Sequence, residues 1–432
     1  MKENKRSYTI QYTLLNMTYF AAFCTIHAYA AVFLLAHGFS NTGVGVLLAV
    51  ANITSAIAQP FVAGLIDKPG PLTNKNFILI SVLVILAGSV LLMIVGNSTA
   101  VIFIVYTIIY MVQFTYQPVM TALCFEYQKA GYNIMYGLSR GLGSAGFALT
   151  SAFIGGVVER NGVFVLLVVN VITMLASAVV ILMFKKSGLK EEEKYEDSTD
   201  DAAGEVQAEK NGNTEQREGA EQIKEKEQKA HNNIKEFARI YPAFTLFLVG
   251  IVCFFFAHNM INDFMIQIIR GLGGGEKELG YSNFLQAILE LPVMAMIGLV
   301  LKRISARNLL LISGVAFLVK IVILIFAKSM VAMYVSQSFQ LLAYAVFIPA
   351  AAYYVNETME NLDQVKGQAF ITTAITIGGV FSNLISGRLL DAMGVKSMLI
   401  TGTVVCAVGV AVAFAALCRM PSYVADSTCD MM

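Results

Sequence analysis

Long apolar runs, broken by short polar joints, recur from one end of the chain to the other. Twelve are long enough for a membrane-spanning helix, which needs ~20 apolar residues. They lie near 8–36, 42–66, 76–95, 100–125, 136–158, 162–184, 239–268, 279–301, 308–327, 330–356, 367–390 and 396–418. The pattern predicts an all-α membrane protein of twelve transmembrane helices. Between the sixth and seventh runs the chain changes character, beginning KKSGLKEEEKYEDSTDD. That stretch holds almost no large apolar side chains and cannot bury enough surface to fold alone. Three regions follow: a six-helix bundle over 1–184, a disordered charged cytoplasmic linker over 185–238, and a second six-helix bundle over 239–432.

The two halves repeat each other. A shift of 232 places Pro60 on Pro292, Gly155 on Gly387, Glu159 on Asp391 and Gly162 on Gly394. The stretches IGGVVERNGVFVLL and ISGRLLDAMGVKSMLI read as one helix end written twice. Parallel six-helix repeats about an axis along the membrane normal are a transporter architecture, and they predict pseudo-two-fold symmetry here.

Charge sets the topology, because lysine and arginine collect on the cytoplasmic side. One set of helix ends carries Lys2, Lys5, Arg6, Lys68, Lys75, Lys129, Lys185, Lys186, Lys302, Arg303, Arg307, Lys366 and Arg419. The opposite set carries Arg160, Arg270, Lys277, Lys328 and Lys396. Both termini and the linker are therefore expected on the cytoplasmic side of the cell membrane. The start, MKENKRSYTI, leads into a run too long for a cleavable signal peptide.

Composition narrows the function. The chain is 57% hydrophobic with mean hydropathy +0.67, above the roughly 45–50% apolar content of soluble domains. A net charge of +1 suggests neither nucleic acid nor an acidic partner. The six cysteines are scattered, without CxxC spacing, so neither a metal site nor a disulfide frame is indicated. No Ser/His/Asp set, HExxH or phosphate loop is present, so an enzyme, an ATP drive and a cofactor are not expected. The expected partners are a small-molecule substrate, protons and the lipid bilayer, with the protein a monomer.

Ionisable groups at membrane depth are functional candidates by default. The fifth run, YGLSRGLGSAGFALTSAFIGG, holds Arg140 among six glycines. A guanidinium offers a fixed fork of donors for vicinal hydroxyls or a carboxylate; the bland alternative is an arginine snorkelling to the cytoplasmic end. Phe147 lies two turns on, along the same face. Gly137-x-x-x-Gly141 is a small-xxx-small pattern expected to pack helices closely. Glu126 closes the fourth run, as a substrate acid or a helix-end group pairing with Arg140 or Lys129. Glu290 lies deep in the eighth run beside Pro292, which removes a backbone donor. A carboxylate there is costly when ionised, which suits a proton carrier; pairing with Lys320 on the ninth run is the structural alternative. In the seventh run His258, Asn259, Asn262 and Asp263 form one polar stripe, which faces a cavity or a neighbouring helix and not lipid. His258 is a second proton-relay candidate and His27 in the first run a lesser one.

Three stretches make the chain resemble the major facilitator superfamily, and within it the lactose permease group of oligosaccharide:proton symporters. They are NTGVGVLLAVANITSAIAQPFVAGLIDKPG with the Asp67-Lys68 loop, the Arg140 segment with Gly143, Gly146 and Phe147, and LKRISARNLLLISG. The resemblance implies a sugar-binding role for Arg140 and a ring-stacking role for Phe147, where the family usually has tryptophan. It implies a gating role for Asp67 and Lys68, and structural acids near Asp263 paired with bases on helices ten and eleven. The family's acids on helices four and eight fall at Ala122 and Ala287, one turn from Glu126 and Glu290. Its helix-ten proton pair falls on Gln340 and Ala343, neither of which carries a proton, and Lys320 replaces an arginine. Glu290, with His258 and Lys320, is left to couple protons, and Arg140, Phe147, Glu126, Glu290, Asn259 and Asn262 to bind substrate.

The function expected is a proton-coupled secondary transporter of a small hydroxyl-rich solute, a sugar or a related compound. A nucleoside permease and an exporter of amphiphilic compounds, with a cavity of residues such as Met111, Phe114 and Phe255, are the alternatives in the same class. A transporter-like membrane sensor is the alternative outside it.

Overall fold

The computed structural model describes residues 5–66, 68, 72–96, 98–184 and 234–418. These residues form helices and short connections, without strands. The linker from 185 to 233 and Asp67 of the predicted gating loop lie outside the described residues. The last predicted linker residues are ordered, in a short helix, α8 (Ile234–Ile240), that leads into the second half.

The first span is bent. α1 (Lys5–Phe23) passes through a π-turn at Cys24–Ala28 and turns by 50° into α2 (Ala30–Ala36). The Tyr106 hydroxyl donates to the Ile26 carbonyl inside that turn at 2.5 Å. Then come α3 (Asn41–Ile66), α4 (Asn74–Ile94), α5 (Thr99–Lys129), α6 (Tyr136–Asn161) and α7 (Phe164–Met183). The second half runs through α9 (Pro242–Asp263), α10 (Met265–Gly271), α11 (Glu276–Leu301), α12 (Ala306–Phe326), α13 (Met330–Ser338), α14 (Tyr344–Thr358) and α15 (Asn361–Cys418).

Among the described residues nine helices are long and apolar enough to cross a membrane, and ten if the bent first pair is one span. Gly394, at φ 79°, divides the 58 residues of α15 into two spans, and the 26 residues of α11 supply another. These helices are consistent with the expected twelve spans.

The repeat read from the sequence is visible in the backbone. Gly162 (φ 81°) and Gly394 (φ 79°) both break the chain in the left-handed region that glycine tolerates. Pro60 and Pro292 both sit inside helices, α3 and α11. At the end of the molecule opposite Lys5, two crossings bind one half to the other. Gly155 of α6 lies where a Cβ would run into the Glu276 carbonyl, and Gly387 of α15 where one would run into the Asn41 carbonyl. Only glycine lets the backbones meet so closely.

Each crossing carries an acid from the same repeat position. Asp391 accepts from the Asn41 and Thr42 backbone N–H groups at 3.1 and 2.7 Å, and from their side chains at 2.8 and 2.6 Å. Glu159 accepts from the Lys277 N–H at 3.1 Å. Both acids satisfy unpaired donors at the start of a helix in the other half, where negative charge is favoured. Toward the Lys5 end the helices part: a Cβ on Gly64, Gly137, Gly141 or Gly298 would meet nothing within 4 Å. The predicted Gly137/Gly141 packing pair is therefore not a helix contact. The glycines of α6 that do pack include Gly143, against Phe20 and Asn16 of α1, Gly146, against Met17, and Gly155.

Candidate functional site

Between the halves lies a cavity of about 970 Å³. Arg140, Phe147, Glu290, His258, Asn259 and Asn262 all line it, on α6, α9 and α11. Arg140 is 15 residues from the Gly155 crossing and Glu290 is 14 from Glu276. At 1.5 Å per residue both lie about 21–23 Å from the closed end, at one depth on facing helices. Of the polar groups singled out in the sequence, Arg140, Glu290, His258, Asn259 and Asn262 face a common hollow, and Glu126 and Lys320 do not.

Arg140 does not snorkel away. Its guanidinium lies over the Phe20 ring, 4.1 Å from the centroid, and Nη1 donates to the Ser144 Oγ at 3.2 Å. The aromatic face fixes the plane of the fork, leaving remaining donors for a ligand. Ser144 was not singled out in the sequence, although its i+4 spacing to Arg140 is a signal for it. Phe20 has no such signal, because it arrives from another helix.

Glu290 and Lys320 form no ion pair within 4 Å; an amide joins them. Lys320, fully buried on α12, donates to the Gln340 Oε1 at 2.7 Å. Gln340 then donates from Nε2 to the Glu290 Oε1 at 3.1 Å. Behind them Gln286 donates to the Gln337 Oε1 at 2.7 Å. Lys320 thus stands behind Gln340 and not on the cavity wall. The position that cannot titrate links two that can.

His258 is stacked on Tyr344 with centroids 5.1 Å apart, and its Nε2 lies 2.9 Å from the Asn262 Nδ2. That geometry makes Nε2 the acceptor and fixes the neutral tautomer when the ring is uncharged. His27 projects from the π-turn into the aromatic wall, stacked on Phe23 at 3.8 Å and 3.9 Å from the Tyr110 ring. π-Turns are frequent at functional sites, because they re-aim side chains; the sequence gives no signal for one here.

Two expectations are corrected. Glu126 is absent from the cavity wall and accepts from the Asn74 Nδ2 at 2.8 Å, which ties the end of α5 to the start of α4. Asp263 lines the cavity but forms no ion pair within 4 Å among the described residues. The bases on α15 lie elsewhere: Lys366 pairs with Asp363 at 3.3 Å and Arg388 is exposed. Lys68 is exposed at the end of α3.

A symmetric pair of helical bundles around a polar hollow defines a membrane protein of major facilitator architecture. Residues 9–401 match the MFS_1 like family, and the chain belongs to it. Solved structures agree in fold. The nucleoside transporter NupG superposes with TM-score 0.71 at 15% identity, covering 96% of this chain and 99% of that one. A D-xylose-proton symporter gives 0.68 at 12%, covering 96% and 98%. An auto inhibited POT family peptide transporter gives 0.67 at 10%, covering 98% of both chains. A search of curated proteins finds no match.

Proposed function

We propose that the protein is a secondary transporter that carries a small hydroxyl-rich solute, a saccharide or a nucleoside, by alternating access coupled to protons. The observation that carries this reading is the cavity, closed at one end by two glycine crossings and lined at one depth by Arg140, Phe147 and Glu290. A guanidinium fork beside an aromatic face suits a ring bearing vicinal hydroxyls. The fold's solved relatives include a nucleoside transporter and a sugar–proton symporter, which is consistent with this class.

The halves 1–184 and 239–432 act as the rocking bodies, joined by the linker over 185–238. The charge distribution supports cytoplasmic termini in the cell membrane, so the described state opens inward. Glu290 is the proton carrier. Gln340 relays the Lys320 charge to it.

A thermal-shift screen of sugars and nucleosides against the purified full chain tests the substrate class. Stabilisation by members of one of these groups is expected. Stabilisation by lipophilic cations alone would favour an exporter, and binding without flux in proteoliposomes a sensor.

A further inference from the structure

The polar groups at the open end of the cavity have partners, while several polar atoms toward the closed end do not. Arg140 is held by Ser144, Glu290 by Gln340 and Gln286 by Gln337. By contrast both ring nitrogens of His27, the Asn262 Oδ1 and the Asn283 Nδ2 are buried without a hydrogen-bond partner among the described residues. All three residues line the cavity. Native proteins leave few such atoms unsatisfied, and those that remain call for an explanation.

Asp263 stands among them. It is the last residue of α9, where the helix's own carbonyls already place partial negative charge. A carboxylate at a helix C-terminus is disfavoured unless a cation or several donors offset it. No ion pair offsets it among the described residues; the side-chain donor beside it is the Asn383 amide, and the carboxylate is part-exposed to the cavity. Tyr110 faces it from α5 and Asn383 lies beside it on α15. The Asn383 amide is itself buried and unpartnered.

Depth separates this group from the first. Asn383 is four residues from the Gly387 crossing, about 6 Å, whereas Glu290 is about 21 Å from its crossing. The two polar ends are thus about 15 Å apart along the membrane normal. One sugar ring held by Arg140 cannot reach Asp263.

We propose that the closed end of the cavity is a second recognition subsite, in which Asp263 receives a nitrogen donor at the far end of the solute. This rests on the transport reading above and sharpens its substrate class: an elongated solute with a hydroxyl-bearing ring at one end and an amine, ammonium or exocyclic amino group at the other. A neutral polyol leaves Asp263 uncompensated; an aminated solute satisfies it as the halves close.

Binding of matched pairs to the purified full chain tests this: cytidine against uridine, and the β-1,4-linked glucosamine disaccharide against cellobiose. The aminated member of at least one pair is expected to bind about tenfold or more tighter, the range of a hydrogen bond to a charged group. Asp263→Asn should bring that ratio to within about twofold, and Asp263→Glu should retain the preference, which separates loss of the carboxylate from loss of the fold. Equal affinity within both pairs, or a preference unchanged in Asp263→Asn, would overturn the subsite and leave the transport reading standing. Absence of binding by all four compounds and by the wider panel would contradict the transport reading and the subsite with it. Stabilisation by sodium ion alone, lost in Asp263→Asn, would assign the acid to an inorganic ion and overturn the proposal.

Discussion

Arg140 is held in place by the Phe20 face and by Ser144, with donors left over. Hydrogen bonds from a charged group are worth about 1.5–3 kcal/mol each, which corresponds to roughly ten- to hundredfold in affinity. Arg140→Ala should therefore weaken solute binding at least about tenfold while leaving the melting temperature within a few degrees. Unchanged affinity would return Arg140 to a structural role. The Lys320–Gln340–Glu290 chain makes a different kind of demand. Removing one partner of a buried charge costs more than removing both. Gln340→Leu should lower the melting temperature, and adding Lys320→Met should restore much of the loss. Additive destabilisation in the double variant would show that Gln340 does not hold the lysine.

The two crossings at the closed end act as paired elements, and both were legible in part. The shift of 232 exposed Gly155 with Gly387 and Glu159 with Asp391 as equivalents. It could not show that each meets the other half, because a sequence period carries no information about which helices touch. The same limit explains Glu126 and the Gly137/Gly141 pair: spacing names a helix face, while the parting of the helices decides whether anything lies against it. A bulky side chain at Gly155 must push α6 from α11, so Gly155→Leu should open the closed end. Labelling of a cysteine at Asn283 by an impermeant maleimide, from the side opposite the termini, should rise several-fold; no rise would contradict the crossing as the seal.

Asp391 adds a pH dependence to the other crossing. Burial raises its pKa, but the hydrogen bonds from Thr42 and Asn41 outweigh that and hold it below the usual carboxylate range. Its contribution is thus full above the ordinary value of about 3.9 and fades as pH falls below it through the depressed native value. In Asp391→Asn the separation of two spin labels placed across the closed end should be raised at neutral pH and lose its acid-dependent rise. An unchanged acid response would remove Asp391 from the latch.

At the scale of the molecule, the all-helical fold and its internal symmetry followed from hydropathy and the repeat, because lipid forces every backbone group into helices. The cavity's contents followed only in part. Arg140, Phe147, Glu290 and the α9 stripe stood out as polar groups in apolar runs, whereas Phe20, Tyr344 and the Gln340 bridge are ordinary side chains made specific by packing. The central claim is that this fold moves solute uphill on a proton gradient through Glu290. Its most direct test is uptake of a radiolabelled solute, chosen from the binding panel, into sealed proteoliposomes under an imposed pH gradient. Wild-type protein should accumulate solute and lose the gain with a protonophore, while Glu290→Gln should exchange solute at near wild-type rate without accumulating it. Full accumulation by Glu290→Gln would contradict the account.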